Sequence, residues 1–169
     1  DIAFRVRFDG PLPPRQKLYW RGPVMEQFDG TTWQPHKGRH PTPQLESMSP
    51  PVAYETTLEA HNQRWLLALD APVNLPAEIT RNGMLTAVSQ NAINERQRFR
   101  LSASLDYRFN TSEDPVVLQR NLALPAGSNP QTRALANQWR ASNTPEGVIA
   151  KALAQFAAEF TYTLQPPLL

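Results

Sequence analysis

The chain has 169 residues, 40% hydrophobic and 19% charged, the balance of a folded globular protein rather than a disordered one. Its 17 basic and 15 acidic residues leave a formal charge of +2, and without a run of Lys or Arg there is no nucleic-acid footprint. The lack of cysteine excludes disulfides, zinc–thiolate sites and a cysteine nucleophile within these residues.

Seventeen prolines against seven glycines suit a loop-rich β protein with stiff connections. Ile2, Phe4, Val6 and Phe8 alternate with Ala3, Arg5 and Arg7, the pattern of a half-buried strand. Gly10, Pro11, Pro13 and Pro14 then set a stiff turn. From Tyr19 to Trp33 two aromatic runs flank a short middle, and Asp29-Gly30 is a strong turn dipeptide. A strand from Leu18, a tight reversal and a returning strand through Thr31, Thr32 and Trp33 are predicted. Arg21 and Asp29 lie near the two bends, and a charge-assisted hydrogen bond between them would fix the hairpin. Trp20, Phe28 and Trp33 read as core aromatics, or else as an aromatic binding surface. Trp20, Arg21, Gly22, Asp29, Gly30 and Trp33 together form the candidate structural signature, with no catalytic role assigned.

Pro35 to Pro51 contains five prolines and is expected to hold no regular element and to be the most mobile or protease-sensitive internal segment. Val52, Tyr54, Thr56 and Leu58 alternate as a strand. The apolar run Trp65–Leu69, the longest in the chain and far short of the ~20 residues of a membrane helix, reads as a strand buried on both faces. Asn82-Gly83 predicts a hairpin between Ile79 and Val88, with Met84 and Leu85 opening its second arm. Phe99, Leu101, Ala103, Leu105, Tyr107 and Phe109 alternate strictly with polar residues. They predict one long strand with a wet face, its apolar side chains all facing one core. Val116–Leu118 reads as helix or turn.

After Pro125 the period changes from 2 to 3.6. Asn129-Pro130 and Thr144-Pro145-Glu146 are helix starts, giving helices Pro130–Ala141 and Pro145–Phe160. Ile149, Leu153, Phe156 and Phe160 form a stripe on the second. The fold class is mainly β, an antiparallel sandwich or bent sheet, followed by two α-helices, α+β overall. Domain boundaries are expected at 1–125 and 126–169. A one-sided apolar stripe needs a partner, and self-association through residues 130–164 is expected of the chain alone.

His36 and His40 have the spacing of two ligands on one helix face, but Pro35, Gly38 and Pro41 prevent a helix. With His61 they read as exposed histidines, so no metal site and no cofactor are expected. Glu26 with Asp29, or Glu113 with Asp114, could be paired acids, but surface turns explain them better. No Gly-x-Ser-x-Gly elbow, phosphate loop or dinucleotide fingerprint occurs. Trp65 following His61-Asn62-Gln63-Arg64 allows a sugar-binding reading.

Two stretches carry a family resemblance: Tyr19-Trp20-Arg21-Gly22-Pro23 with Phe28-Asp29-Gly30 and Trp33, and Tyr54–Glu59 with Trp65–Pro72. In residues, spacing and order they resemble the extracytoplasmic segment ahead of the core in bacterial TgpA-type transglutaminase-like membrane proteins. The resemblance implies acyl transfer from Gln to Lys by a Cys-His-Asp triad, none of which can be assigned to residues of this chain. Phe160–Leu164 resembles the approach to the catalytic cysteine region. The first methionine is Met25, so Asp1 is expected to be a cut in a longer protein. This chain is then expected to be the non-catalytic N-terminal periplasmic portion of a membrane-anchored enzyme of a Gram-negative inner membrane. The implied partners are the remainder of the transglutaminase-like domain and the parent's protein or peptide substrate, with the membrane reached only through spans outside the chain. The alternatives are a periplasmic binding module for peptidoglycan or protein, and a structural spacer.

Overall fold

A computed structural model describes residues 2–38, 42–141 and 143–165. In chain order the strands are β1 (Phe4–Phe8), β2 (Trp20–Arg21), β3 (Gln27–Phe28), β4 (Trp33–Gln34), β5 (Leu45–Ser47), β6 (Val52–Leu58) and β7 (Trp65–Leu66). There follow β8 (Ala68–Leu69), β9 (Ala71–Pro72), β10 (Ile79–Arg81), β11 (Ala87–Ser89), β12 (Gln97–Ser104) and β13 (Tyr107–Phe109), then α1 (Pro115–Asn121), α2 (Pro130–Arg140) and α3 (Pro145–Glu159). The architecture is mainly antiparallel β with helices towards the C-terminus. The chain divides into two compact units, Asp1–Ala123 and Leu124–Leu169.

The first unit is built on a four-stranded sheet in the order β1-β6-β12-β9. Register sets Val6 and Phe99 on either side of Thr56, and Phe8 and Leu101 on either side of Tyr54. One face of the sheet therefore collects Tyr54, Thr56, Leu58, Phe99, Leu101 and Ala103, all buried, while Arg5, Arg7, Arg98 and Arg100 take the other. Alternation at period 2 is the cause, since successive side chains leave opposite faces. Leu66, Ala68, Leu69, Ile79 and Ala87 from the other sheets, with Ile93 from the loop before β12, complete the core.

Three strand expectations need correction. The run Phe99–Phe109 is two strands, not one. The chain bends at Leu105 and Asp106, where the Ser104 hydroxyl donates to the carbonyl of Asp106 at 3.0 Å, and β13 leaves to pair with β5. Phe99, Leu101 and Ala103 are core residues, whereas Leu105 is only packed against the core and Tyr107 serves elsewhere. Trp65–Leu69 is likewise not one strand: β7 pairs with β11, β8 with β2, and β9 with β12. Eight residues thus tie three sheets together, and Asp70, at φ 34°, is the bend between β8 and β9. Finally, the proline-rich segment does hold a regular element, because Leu45–Ser47 form β5; residues 39–41 lie outside the described residues.

The Asn82-Gly83 hairpin exists as β10–β11, but its connection runs to Thr86 and the second arm starts at Ala87. Asn82 Oδ1 accepts from the amides of Met84 and Thr86, both at 2.9 Å. Leu85, at φ 63°, turns into the interior and is fully buried. A side-chain carboxamide that replaces a turn's backbone partners lets the loop be longer than the dipeptide alone implies.

Val116–Leu118 belongs to α1, whose first turn is capped by Asp114 Oδ1 accepting from the amide of Val116 at 2.8 Å. In the second unit, α3 is capped by Thr144 Oγ1 accepting from the amide of Gly147 at 3.2 Å. Asn129 does not cap α2: it is left-handed at φ 49° and its side chain makes no capping bond. Arg133 closes that end instead, donating to the carbonyls of Ser128 and Pro125 at 3.0 and 2.9 Å.

Tyr54 is central to the core. Its hydroxyl accepts the amide of Leu69 at 2.8 Å, and burial pushes its phenol from 10.0 up to about 12. The raised value favours the neutral phenol in the folded state. Its contribution to stability is thus present below pH 10 and lost as pH rises towards 12. Urea unfolding at a series of pH values is expected to show a decline above pH ~10. Tyr54→Phe should make that decline shallower and cost about 1–3 kcal/mol at neutral pH, since the Leu69 amide is left buried and unpaired.

Candidate functional site

The signature residues are placed by two different pieces of backbone. Trp20 and Arg21 form β2, which pairs with β8 rather than with the returning strand, so that Trp20 faces Leu69 and Arg21 faces Ala68. The hairpin expected around Asp29-Gly30 is the short pair β3–β4, Gln27 opposite Gln34 and Phe28 opposite Trp33. Trp20 packs edge-on against Phe4 at 5.0 Å and Tyr54 at 5.9 Å. The carbonyl of Gly22 accepts the Thr86 hydroxyl at 3.1 Å. Trp33 is 57% exposed and stacks on Phe28 at 5.1 Å.

Arg21 does not meet Asp29. Its Nε donates to the backbone carbonyl of Asp70 at 2.8 Å and its Nη2 to Asp70 Oδ1 at 3.1 Å. The Tyr107 hydroxyl donates to the same Oδ1 at 2.8 Å and lies 3.5 Å from Arg21 Nη2. The amide of Asp70 donates to the carbonyl of Tyr19 at 2.8 Å, and the Tyr19 ring lies 5.2 Å beneath the guanidinium. Arg21 and Asp70 are each only 18% exposed. Burial, then the hydrogen bond to Asp70, raises the Tyr107 phenol above its ordinary value. Asp29 instead builds its own turn. Its Oδ1 accepts the amides of Thr31 and Thr32 at 2.9 and 2.8 Å, and these bonds hold its carboxyl below the ordinary range. Gly30, at φ 112°, supplies a backbone conformation that side-chain-bearing residues avoid. Asp29 was the nearest acid in sequence, but an Asx turn engages it locally. Asp70 lies 49 residues from Arg21, and Tyr107 has no sequence signal beyond its place in the alternation.

A second buried pair links α1 to the β3–β4 region. Glu26 accepts from Arg120 Nη2 at 3.2 Å, and Arg120 Nη1 stands 3.1 Å from His36 Nε2. Glu26 and Asp29 therefore have separate partners. Glu113 accepts from Asn110 and from the amide of Asp114, while Asp114 caps α1. His61 stacks on Trp65 at 4.5 Å beside a cavity of about 310 Å³ lined by Ile2, Leu58 and Leu67. His40 lies outside the described residues, and among the described residues no cluster of three His, Cys, Asp or Glu could hold a metal ion.

The TgpA N-terminal domain family matches residues 1–110. The chain belongs to that family. It is 34% identical over 171 residues to a protein-glutamine gamma-glutamyltransferase of Pseudomonas aeruginosa, covering 99% of this chain but 26% of that protein. Its fold matches the crystal structure of the periplasmic domain of TgpA from the same organism, with TM-score 0.91, 33% identity, all of this chain and 60% of that one. The ethylmercury-bound form of that domain gives TM-score 0.90, again at 33% identity, and 61% of that chain is covered. The chain thus spans about a quarter of the curated relative. It is the N-terminal part of the periplasmic region of a TgpA-type membrane protein, and no helix among its described residues is long and apolar enough to cross a membrane.

The two stretches that carry the TgpA resemblance, Tyr19–Trp33 and Tyr54–Pro72, are the two that meet at β2–β8 and at Arg21–Asp70. In urea unfolding, Arg21→Ala is expected to cost about 1–3 kcal/mol, because Asp70 loses a partner in a partly buried setting. Tyr107→Phe should cost about 0.5–1.5 kcal/mol. The double variant should fall short of the sum by about 0.5 kcal/mol or more, the mark of a shared partner. A cycle pairing Arg21→Ala with Asp29→Ala should show additivity.

Proposed function

We propose that this chain is the non-catalytic approach to a transglutaminase-like reaction centre. Residues 1–125 shape or shield the substrate groove, and residues 126–169 begin the transglutaminase-like core. The chemistry would belong to a Cys-His-Asp triad supplied by further chain: a thiolate attacks a glutamine carboxamide, ammonia leaves, and a lysine amine takes the acyl group and releases the thiolate. The signature residues Trp20, Arg21, Gly22, Asp29, Gly30 and Trp33 act in this reading on the shape of the first unit, not on substrate.

The observation that carries the reading is the bare face of the second unit. Ile149, Leu153, Phe156 and Phe160 are 55–66% exposed. Phe156 and Phe160 also border a groove of about 180 Å³ between α2 and α3, with Leu135, Ala136 and Trp139 opposite. Burying four such side chains is worth roughly 6–12 kcal/mol at ~1.5–3 kcal/mol each, comparable to the net stability of a domain. The face therefore calls for a cover, and the remainder of a transglutaminase-like domain is the partner whose chemistry fits the family. The packing of Trp20 on Phe4 and Tyr54, and of Trp65 on His61, favours a scaffold over a tryptophan-lined binding module for peptidoglycan or protein.

In isolation the same face should pair between copies through residues 130–164. Light scattering on residues 1–169 is expected to give a dimer or larger assembly, and Leu153→Glu with Phe156→Glu a monomer. A monomeric native chain would reject the pairing. Extended to the length of the solved periplasmic domains, the protein should incorporate a primary amine into a glutamine-containing peptide, while residues 1–169 release no ammonia. Amine incorporation by residues 1–169 would overturn the division of labour.

A further inference from the structure

The outward face of the four-stranded sheet is a lattice of arginines. Arg5 and Arg7 project from β1 and Arg98 and Arg100 from β12, with Arg96 just before that strand. Register sets Arg5 and Arg98 on either side of Thr57, and Arg7 and Arg100 on either side of Glu55. All five side chains are 54–73% exposed.

Three acids share this face. Glu59 accepts from Arg5 Nη1 at 2.8 Å and from Arg96 Nε at 2.9 Å. Glu55 Oε1 lies 3.5 Å from Arg7 Nη2 and 3.7 Å from Arg98 Nε, within ion-pair range but too long for good hydrogen bonds. Asp9 accepts from Arg100. The five arginines outnumber the three acids that pair with them by two. A guanidinium offers five N–H donors. The carboxylates take one each from Arg5, Arg96 and Arg100, so most donors point to solvent. Exposed pairs of this kind add little to stability, and the core on the opposite face does not depend on them.

We propose that this face docks on the anionic phospholipid headgroups of the bilayer that anchors the parent protein. A sheet face spreads its guanidiniums in rows two strands, or about 10 Å, apart. Phosphodiester oxygens accept the forked donation that guanidinium provides. Membership of the periplasmic region of a membrane protein keeps the face near such a surface, which favours lipid over other polyanions. Each basic side chain near an anionic membrane strengthens binding about fivefold, and ions screen the attraction.

The test is co-sedimentation of the 169-residue chain with vesicles of phosphatidylcholine, alone or mixed with phosphatidylglycerol. Retention is expected only on the mixed vesicles, and raised salt should abolish it. Arg7→Gln, Arg98→Gln and Arg100→Gln together should weaken it about a hundredfold at an unchanged melting temperature. Glu55→Gln removes an acid that competes with phosphate and should tighten binding about fivefold, a gain that a structural role for Glu55 does not produce. If the triple variant fails to fold, Glu55→Gln decides. Equal retention on both kinds of vesicle, an unaffected triple variant, or weaker binding by Glu55→Gln would overturn the proposal. So would retention on immobilised heparin with none on vesicles.

Discussion

The corner at Asp70 is the constraint on which the first unit depends. A chain that leaves β8 and enters β9 within one residue must turn sharply, and it does so through a left-handed aspartate, a conformation its short polar side chain tolerates better than most. Arg21 grips the backbone carbonyl and the carboxylate of that residue together, and Tyr107 holds the same carboxylate from β13. Three sheets are thereby fixed against one another at one point. The neighbouring Leu69 amide is held by Tyr54 from the middle of the four-stranded sheet, so the corner and the core share a backbone segment.

The two units differ in how far they satisfy themselves. The first closes a core around Tyr54, Leu66, Leu69, Ile93 and Leu101, all essentially without solvent exposure. The second has two helices, of which α3 is capped by Thr144, and leaves Ile149, Leu153, Phe156 and Phe160 exposed. Proline starts, with the Thr144 cap at α3, define where α2 and α3 begin, but helical stability comes mostly from packing of an apolar face. A pair of helices with that face open has local order without the tertiary burial that normally sustains it.

Charge is distributed with equal asymmetry. Arg21–Asp70 and Glu26–Arg120 are shielded and fix geometry, whereas the arginine rows on β1 and β12 are wet and open to screening by salt. The pairs with structural weight are the ones with few exposed atoms.

Much of the fold was legible in the residues themselves. Period-2 alternation located β1, β6 and β12, and proline after a polar residue located α2 and α3, because both signals arise from neighbours a few positions apart. The family stretches Tyr19–Trp33 and Tyr54–Pro72 were also visible as local patterns. What local pattern could not supply was partnership. Nothing near Arg21 distinguishes Asp29, which its own Asx turn engages, from Asp70 on another strand. The stretch Trp65–Pro72 carries no mark that Leu67 and Asp70 divide it among three sheets, and the alternation through Phe109 continues unbroken where the backbone bends at Leu105 and Asp106. Those choices rest on hydrogen bonds and burial between segments tens of residues apart. Strand length, sheet membership and ion-pair partner were therefore decided only when the chain had folded.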